Sequence, residues 1–392
     1  MTRTEIFRQE ILDTLQNNIL HFWIARMQDP RGGFYGRMTG EGEIQRDADR
    51  GVVLNARLLW TFSAAYRHLG DKQCLIAAMD VQDWFLRHFV DHKFGGVYWS
   101  VQADGSRKDA KKQLYAQAFA IYAFSEYYAA TGDDQALKEA VNLYHVVEKF
   151  FADAGYGGYI EALDRDFSPL DDMSLSAHDR NADKTMNSHL HLLEAYANLY
   201  KVWPDAQLGQ KTADLLTLLT DRIMDRETGH LQLYFTRDWG VIPAGCSYGH
   251  DIETSWLMLE AAASLRDIDI MNRIRPIARR IGEAGLEGLQ PDGSLIYEKH
   301  EDGSLDDSRQ WWVQAETVVG NLWLWKYHGL ETSADTALHT WGYIQQHLLH
   351  PEGEWWWACD AEGQPDTAGD RAGFWKCPYH NTRMCLQVLE VI

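Results

Sequence analysis

Two short stretches, "GGFYG" at residues 32–36 and "GGVYW" at residues 95–99, decide the fold because they belong to a repeat. Four more glycine-aromatic stretches follow, which are "GGYIE" at 157, "GHLQLYF" at 229, "GSLIYE" at 293 and "GEWWW" at 353. From Gly33 through Gly96, Gly158, Gly229, Gly293 and Gly353 the differences in residue number are 63, 62, 71, 64 and 60. Self-similarity at such a period is typical of an architecture built from repeated units.

Between the glycine-aromatic stretches, apolar residues follow the spacing of amphipathic helices. This spacing predicts twelve helices, two in each repeat, with every glycine stretch forming a short turn or hairpin between them. The predicted ranges are 4–28, 49–70, 73–90, 111–131, 135–150, 183–202, 207–224, 250–265, 267–286, 310–329, 333–348 and 377–390. Pro204 is expected to stop the sixth helix, because proline cannot continue it.

The last predicted helix, in "CPYHNTRMCLQVLEVI" (377–392), is as apolar as the internal helices. An open solenoid needs terminal repeats with a polar outer face. A closed ring of six helix pairs does not, so the sequence predicts an all-α (α/α)6 toroid whose inner helices are the even-numbered ones. Two domains would be the default for 392 residues. The unbroken period instead predicts one catalytic domain over residues 1–392.

Composition excludes several classes of partner. The 37 basic and 57 acidic residues give a formal charge of −20, and such a field repels nucleic acid. No run approaches the length of apolar sequence that a membrane span needs. The five cysteines show no Cys-x-x-Cys spacing, and the charged, amphipathic N-terminal stretch lacks a signal-peptide core. We therefore expect a cytoplasmic monomer or homodimer that acts on a small molecule.

Matching positions in the predicted inner helices carry polar and aromatic residues. Arg57, Tyr115, His191, His250, Trp312 and His380 follow one another at intervals of 58, 76, 59, 62 and 68 residues. Because equivalent positions of a closed ring meet at one end of the central hole, these side chains are expected to share one pocket. Neighbouring positions add five candidates, which are Asn187, Glu253, Trp311, Glu316 and Trp375.

Taken singly, some of these residues have a purely structural interpretation. His191 is equally well explained as a buried histidine satisfied by a polar neighbour on its own helix. Arg57 is equally well explained as one partner of a salt bridge. Trp311 and Trp312 are adjacent, and adjacent helical residues do not share a face, so one of them is expected in the core.

Asn187, His191 and Glu194 also allow a metal-site interpretation, because His-x-x-Glu pairs occur in di-iron helix bundles. Such sites need several of these pairs, and "HDIE" at 250–253 supplies a second one only in a loose sense. The prediction is therefore a site without metal. His189 points to another helical face and is expected to be structural.

Three histidines without an apparent metal or nucleophile indicate proton transfer, because histidine can remove and return a proton near neutral pH. Two of them on opposite sides of a carbon could invert it, provided that the carbon lies next to a carbonyl. A sugar meets this condition after ring opening, which a third histidine could assist. Arg57 is suited to stabilise the resulting enediolate, with aromatic walls against the sugar. The pattern thus predicts epimerisation or isomerisation at C2 of a sugar.

Four long motifs are similar to those of the cellobiose 2-epimerases in the N-acylglucosamine 2-epimerase superfamily. They are "ADKTMNSHLHLLEAY" (182–196), "SYGHDIETSWLM" (247–258), "RQWWVQAETVVG" (309–320) and "WKCPYHNTRMC" (375–385). The resemblance extends over essentially the whole chain. It implies an (α/α)6 barrel and a reaction that needs neither a metal nor an organic cofactor.

The resemblance also implies a role for each candidate. Arg57 corresponds to the enediolate-stabilising arginine, His250 and His380 to the C2 acid/base pair, and His191 to a histidine that assists ring opening or positioning. Glu253 is implied as the partner of His250. The implied substrate-binding residues are Tyr115, Asn187, Glu253, Trp311, Trp312, Glu316 and Trp375.

The implied reaction converts cellobiose into 4-O-β-D-glucosyl-D-mannose, and lactose into epilactose. Relatives that epimerise or isomerise free mannose remain an alternative, since loops decide whether a second sugar ring fits. The segment "EALDRDFSPLDDMSLSAHDRNADK" (161–184) differs in composition from what such loops lead us to expect. More remote alternatives are a glycoside hydrolase using Glu253, Glu316 or Asp179, a terpenoid cyclase and a non-catalytic sugar-binding toroid.

Overall fold

A computed structural model describes residues 2–177 and 179–392. Within this part of the chain there are twelve α-helices, as the repeat predicts. They are α1 (Arg3–Asp13), α2 (Val52–Leu69), α3 (Lys72–His88), α4 (Leu114–Thr131), α5 (Asp134–Val146), α6 (Met186–Val202), α7 (Ala206–Leu218), α8 (Tyr248–Ser264), α9 (Ile268–Gly285), α10 (Trp311–His328), α11 (Glu331–Tyr343) and α12 (Tyr379–Val391). None of these described helices combines the length and apolar character that a membrane span requires.

The helices form a closed ring of pairs. Each inner helix, from α2 through α4, α6, α8 and α10 to α12, contacts the next, and α12 contacts α2 in turn. The outer helices α3, α5, α7, α9 and α11 each pack on the inner helix before them, while α1 packs on α12. The predicted (α/α)6 barrel is therefore confirmed.

Some differences from the predicted helix boundaries have an identifiable cause. Short antiparallel strands precede the inner helices, so α4 begins at Leu114 rather than at 111, and α6 begins at Met186 rather than at 183. The predicted helix 4–28 is α1 followed by π-helical turns at Thr14–Leu20 and Trp23–Met27. α6 ends at Val202, two residues before Pro204, as expected.

Thirteen short strands occur among the described residues. They are β1 (Arg50–Gly51), β2 (Ser100–Val101), β3 (Arg107–Asp109), β4 (Lys112–Gln113), β5 (Ala162–Leu163), β6 (Lys184–Thr185), β7 (Tyr234–Phe235), β8 (Val241–Ile242), β9 (Cys246–Ser247), β10 (Glu298–Lys299), β11 (Leu305–Asp306), β12 (Arg309–Gln310) and β13 (Ala358–Cys359). The strand before each of α2, α4, α6, α8 and α10 pairs with a strand in the next repeat, as β1 does with β2 and β12 with β13. In the sixth repeat, Ala372 pairs with Met38 of the first and completes the circle.

Each glycine-aromatic stretch is the turn of a tight hairpin. Val90 pairs with Val97, and Ala152 with Tyr159, on either side of two such turns. Gly158 has a φ of +71°, and a Cβ at this position would lie 2.4 Å from the Trp239 ring. The position therefore needs a residue that tolerates a left-handed backbone and has no side chain.

Buried polar side chains on the inner helices hold these hairpins in place. The Gln117 amide accepts from the backbone N–H of Val97 at 2.8 Å and donates to its carbonyl at 3.1 Å. Gln314 makes the same pair of bonds to Leu295, both at 2.8 Å. His189 uses its two ring nitrogens on the backbone in the equivalent place, so the prediction that it is structural is confirmed.

Buried ion pairs repeat at the entrances of α4 and α6. The Lys112 ammonium lies 3.0 Å from the Asp91 carboxylate, and the Lys184 ammonium lies 3.0 Å from the Asp153 carboxylate. Both lysine side chains are fully buried. Each pair joins the strand before an inner helix to the hairpin that precedes it, so each pair connects consecutive elements of the ring.

Replacing Asp91 by alanine is expected to lower the free energy of unfolding by about 3–5 kcal/mol, because the buried Lys112 loses its partner. Urea unfolding followed by circular dichroism measures this loss. The matched control is Asp49→Ala, which removes an exposed partner of Lys108 and is expected to cost less than about 1 kcal/mol. Equal losses in the two variants would contradict a stabilising role for the buried pair.

Candidate active site

One layer of side chains crosses the barrel near the N-terminal ends of the inner helices. It consists of the sixth residue of each of the first five inner helices and the fifth residue of α12. These residues are Arg57, Phe119, His191, Glu253, Glu316 and Arg383. All six are buried, so the layer places titratable groups from five of the six helices in one enclosed space.

His191 is oriented by a carboxylate on its own helix. Its Nδ1 lies 2.9 Å from Glu194 Oε2, and its ring packs on the rings of Tyr115 and Phe119 at centroid distances of 5.1 and 4.8 Å. Because an ionised carboxylate only accepts, Nδ1 carries the proton and Nε2 is left as the basic nitrogen. The interpretation of His191 as satisfied by Glu194 is thus confirmed, and the same contact prepares its other nitrogen for chemistry.

His380 has a similar arrangement with a carboxylate from another helix. Its Nδ1 donates to Glu316 Oε1 at 2.7 Å, and Glu253 Oε1 lies 3.9 Å away. Burial lowers the pKa of His380 well below its usual value, and the positive charges of Arg57 and Arg383 lower it further. His380 is therefore neutral near neutral pH and able to accept a proton.

His250 differs from the other two because, within the part of the chain that the structure describes, no carboxylate pairs with its ring. Its Nδ1 shares a 2.8 Å hydrogen bond with Ser247 Oγ. Burial, with smaller contributions from nearby His191 and Arg57, lowers the pKa of His250 to about 3. The predicted pairing of His250 with Glu253 is wrong. Helical side chains lean toward the N-terminus, so His250 reaches back to Ser247 while Glu253 lies one turn deeper.

Trp312 lies between two of the histidines. Its ring centroid is 4.8 Å from that of His250 and 5.5 Å from that of His380. Trp311 faces the other way, where it packs on Trp357 and under the Lys376 ammonium. The two rings face different ways, as expected of adjacent helical residues, and the position of Trp311 does not support its predicted role in binding substrate.

Arg57 is buried without a carboxylate partner among the described residues. Its guanidinium donates to the Tyr115 hydroxyl at 2.8 Å and approaches Cys377 Sγ at 3.9 Å. It also lies over the rings of Phe119 and Tyr379, at 4.4 and 4.8 Å. The salt-bridge interpretation of Arg57 is therefore wrong, and its charge is free to act on a bound anion.

A cavity of about 110 Å³ opens beside these residues. Asn187 and His250 line it, and the buried Oδ1 of Asn187 has no hydrogen-bond partner among the described residues. His191 and His380 do not line it. Trp375 lies on the other side of Tyr115, with its ring 5.8 Å from the tyrosine ring. Other walls of the cavity come from Glu161, Met173, Ser174, Leu175, Asp179, Arg180, Tyr234, Tyr297 and Glu298.

Comparison with known proteins matches residues 33–382 to the family of N-acylglucosamine 2-epimerases (GlcNAc 2-epimerases). The chain belongs to this family. A cellobiose 2-epimerase of Bacteroides fragilis is 47% identical over 98% of this chain and 99% of its own length. One from Ruminococcus albus is 36% identical over 97% of each chain. The solved structure of cellobiose 2-epimerase from Bacillus thermoamylovorans has a TM-score of 0.94 and 36% identity, covering 99% of this chain and 100% of its own.

These likenesses confirm the predicted family, the barrel fold and the assignment to the isomerase class of carbohydrate epimerases. Within this epimerase, the structure brings the three predicted histidines together with Arg57, Tyr115, Asn187, Glu253, Trp312, Glu316 and Trp375. Trp311 packs away from this cluster, and of the predicted site residues Asn187 and His250 line the cavity. The roles of these residues remain predictions.

Sequence reasoning missed one residue of the epimerase's central layer. Arg383 contacts the carboxylates of Glu194, Glu253 and Glu316 and the hydroxyl of Tyr379. A signal was present, because Arg383 follows Glu316 by 67 residues just as Glu316 follows Glu253 by 63. It was hidden because the spacing also selects His380, three residues earlier on α12.

Three groups in the epimerase lie close enough to hold a cation. Ligand atoms of Glu253, Glu316 and His380 lie within 4.8 Å of one another. Arg383 donates to both of these carboxylates and thereby supplies a positive charge at the same place. Glu194, which the metal interpretation used, likewise bonds Arg383 and the Tyr379 hydroxyl. The carboxylates are thus arranged around a guanidinium.

Glu161, in the cavity wall, provides a pH-dependent contribution to stability. It accepts from Ser188 Oγ at 2.5 Å and from Thr185 Oγ1 at 2.8 Å, and burial raises its pKa to about 7. Because this folded-state pKa lies above the unfolded value, stability from this group is complete below about pH 4 and is lost as the pH rises through 7.

The free energy of unfolding is expected to fall between pH 5 and pH 8 because Glu161 ionises. In Glu161→Gln this fall is expected to be smaller by about 3 kcal/mol, since the glutamine cannot ionise. Urea unfolding midpoints at the two pH values provide the measurement. Glu41→Gln makes the same change at an exposed position and is expected to leave the pH dependence as it is. A wild-type pH dependence in Glu161→Gln would show that Glu161 is ionised throughout this range.

Proposed function

We propose that the chain interconverts the glucose and mannose configurations at the reducing end of β-1,4-linked disaccharides such as cellobiose and lactose. The observation that carries this proposal is the convergence of three imidazoles and an unpaired arginine at one end of the barrel. Their arrangement places a base, an acid and an anion-binding group in one cluster, beside the cavity that His250 lines. Epimerisation next to a carbonyl needs these three functions.

The reaction begins with the opening of the sugar ring. A proton leaves the O1 hydroxyl, one is delivered to the ring oxygen O5, and the C1–O5 bond breaks to give the aldehyde. His191 is suited to this exchange, because Glu194 holds its Nδ1 and leaves Nε2 free. The neighbouring Tyr115 hydroxyl, which Arg57 contacts, and the unpartnered Asn187 Oδ1 supply hydrogen-bonding positions for the sugar hydroxyls.

His250 and His380 form the proton-transfer pair at C2. One imidazole removes the C2 proton and the electron pair moves toward O1, which gives a cis-enediolate. The other returns a proton to the opposite face of C2, and the carbonyl re-forms. Both groups have pKa values below the usual range, so the ring that acts as the base is neutral. The ring that returns the proton must first take one up from water, because a neutral imidazole has no proton to give on its basic nitrogen. Which ring acts as the base depends on the epimer that is bound.

Arg57 stabilises the enediolate. Its guanidinium is buried and bonded to a neutral hydroxyl rather than to a carboxylate, so its attraction for an oxyanion is not cancelled. In a site with little water this attraction is stronger than at the surface. Trp312 lies between the two C2 histidines, where its face can pack on the sugar carbons. Trp375 extends the aromatic wall beyond Tyr115.

The second sugar ring is proposed to occupy the outer part of the cavity. Gln113 and Lys111 hold the segment around Ser174 over the entrance of α4, through hydrogen bonds of 3.0 and 3.2 Å to its carbonyl. Asp179 is fixed by the Tyr234 hydroxyl at 3.2 Å. His178 lies outside the described residues. Relatives named cellobiose 2-epimerases support a disaccharide substrate, while free mannose remains the alternative.

The repeat period, the composition and the likeness to the family support further proposals about domains, partners and location. We expect one catalytic domain, no metal or organic cofactor, no nucleic acid or membrane partner, and a cytoplasmic monomer or homodimer. The five cysteines are all unpaired and buried, which fits a reducing compartment. A hydrolase would use Glu253 and Glu316 as its acid and base, but Arg383 engages both of them.

Incubation with cellobiose, lactose, mannose and glucose in heavy water tests the reaction. We expect deuterium at C2 of the reducing-end sugar of the disaccharides, an intact glycosidic bond, and no effect of a chelator, because the C2 proton is exchanged through solvent-equilibrated imidazoles. NMR of the sugars records the site of labelling. Release of monosaccharides would instead indicate a hydrolase, and labelling confined to free mannose and glucose would indicate the monosaccharide alternative.

His250→Ala and His380→Ala are each expected to reduce the epimerisation rate by at least about 100-fold, because each removes one of the two C2 proton carriers. Initial rates on cellobiose provide the measurement. His92→Ala changes an exposed histidine and is expected to keep the wild-type rate. Near-normal turnover in either site variant would contradict its role as a C2 proton carrier.

A further inference from the structure

We propose that Arg383 is a positioning residue that fixes two of the three histidines at once, by binding the carboxylates that orient them. This inference rests on the proposed function. The buried Arg383 guanidinium fixes the geometry of both the His191–Glu194 and the His380–Glu316 pair. Arg383 itself does not touch the substrate in this proposal.

The contacts of Arg383 join four of the six inner helices. From α12, its Nη1 donates to Glu194 Oε1 on α6 and to the Tyr379 hydroxyl. Its Nη2 donates to Glu253 Oε1 on α8 and, at 2.7 Å, to Glu316 Oε1 on α10. Charged, forked hydrogen bonds of this kind fix carboxylates in both distance and direction.

Two of these three carboxylates continue the connection to an imidazole. Glu194 binds Arg383 through Oε1 and His191 through Oε2. Glu316 accepts from both Arg383 and His380 through Oε1. Each histidine is therefore separated from the guanidinium by one carboxylate. A displacement of Arg383 would be transmitted to both rings, whereas His250 rests on Ser247 and would not be affected in this way.

Arg383 also compensates the negative charge of the carboxylates that it binds. Three buried carboxylates without Arg383 would strongly favour protonated imidazoles, and a protonated imidazole cannot act as a base. The charged and titratable groups that face His380 are Arg57 from α2, Tyr115 from α4, His191 and Glu194 from α6, His250 and Glu253 from α8, Glu316 from α10, and Tyr379 and Arg383 from α12. Arg383 is the one cation in this set that binds the carboxylates.

The titration of the neighbouring groups agrees with this geometry. Burial alone would raise the pKa of Glu194, but the Arg383 charge and the His191 hydrogen bond bring it down to about 2. For His380, the charge of Arg383 adds to burial in lowering the pKa. Arg383 thus keeps the Glu194 carboxylate ionised while helping to keep the His380 imidazole neutral.

The two arginines of the layer have different environments. Arg57 meets a hydroxyl, a thiol and aromatic rings, so its charge remains available to a ligand. Arg383 lies between the rings of Trp256 and Tyr379, at 4.7 and 4.4 Å, and its amino groups are committed to carboxylates. Arg57 is thus placed to act on substrate, and Arg383 to act on the protein.

The test compares Arg383→Gln with Arg383→Lys in the full-length protein. In Arg383→Gln we expect the acid limb of the pH profile of kcat/KM for cellobiose to move up by at least about one pH unit, because a neighbouring positive charge is lost. We also expect kcat to fall by at least about 100-fold, with KM changed by less than about threefold. Arg383→Lys keeps the charge but not the fork, so the acid limb is expected to stay in place while kcat falls.

A second measurement does not depend on turnover. Histidine ring carbons labelled with 13C report the titration of His380, whose signals are assigned through His380→Gln. In Arg383→Gln this titration is expected to move to higher pH by at least about one unit, because the charge of Arg383 lowers the pKa of His380 in the wild-type protein. If the wild-type protein converts no sugar, the proposed function fails, while this titration still decides the role of Arg383.

Arg50→Gln is the matched control, because Arg50 is equally buried but pairs with Asp29 outside the central layer. It is expected to lower stability without moving the acid limb or the His380 titration. The proposal is overturned if folded Arg383→Gln shows a wild-type His380 titration and an unshifted acid limb. Should Arg383→Gln fail to fold, a wild-type kcat in Arg383→Lys would overturn it, since lysine cannot reproduce the fork.

Discussion

Five of the six inner helices begin directly after a strand that is hydrogen-bonded to the hairpin of the next repeat, and the sixth repeat pairs with the first through Ala372 and Met38. These ties fix all six helix entrances at one end of the ring. Residues far apart in sequence, such as Arg57 and His380, therefore share one enclosed space. Without closure, the same side chains would be spread along an open solenoid.

The enclosed space contains more ionisable groups than apolar surroundings tolerate unless the charges are compensated. The chain meets this requirement twice. At the edge of the barrel, Asp91 with Lys112 and Asp153 with Lys184 join strands to hairpins. In the centre, one arginine binds three carboxylates. The outer pairs connect the elements of the framework, and the central cluster orients His191 and His380.

Repeat spacing predicts the ring and the level at which the polar residues meet, because period and helical phase are visible in one sequence. It does not predict which side chains of neighbouring helices contact each other. His250 and Glu253 share a face, yet their side chains reach different levels. Trp311 and Trp312 are equivalent by composition, and the orientation of α10 alone separates them. Arg383 was missed because the spacing selects His380 on the same helix, and only the packing of α12 shows that Arg383 contacts Glu194, Glu253 and Glu316. These choices depend on packing between helices.

The unequal support of His250 and His380 has a kinetic consequence under the proposed mechanism. A hydroxyl holds one ring and a carboxylate holds the other, so the two resting proton arrangements of the free enzyme differ in energy. Each turnover moves the catalytic proton from one ring to the other. Before the next conversion in the same direction, the free enzyme must therefore exchange protons with water to restore the starting arrangement.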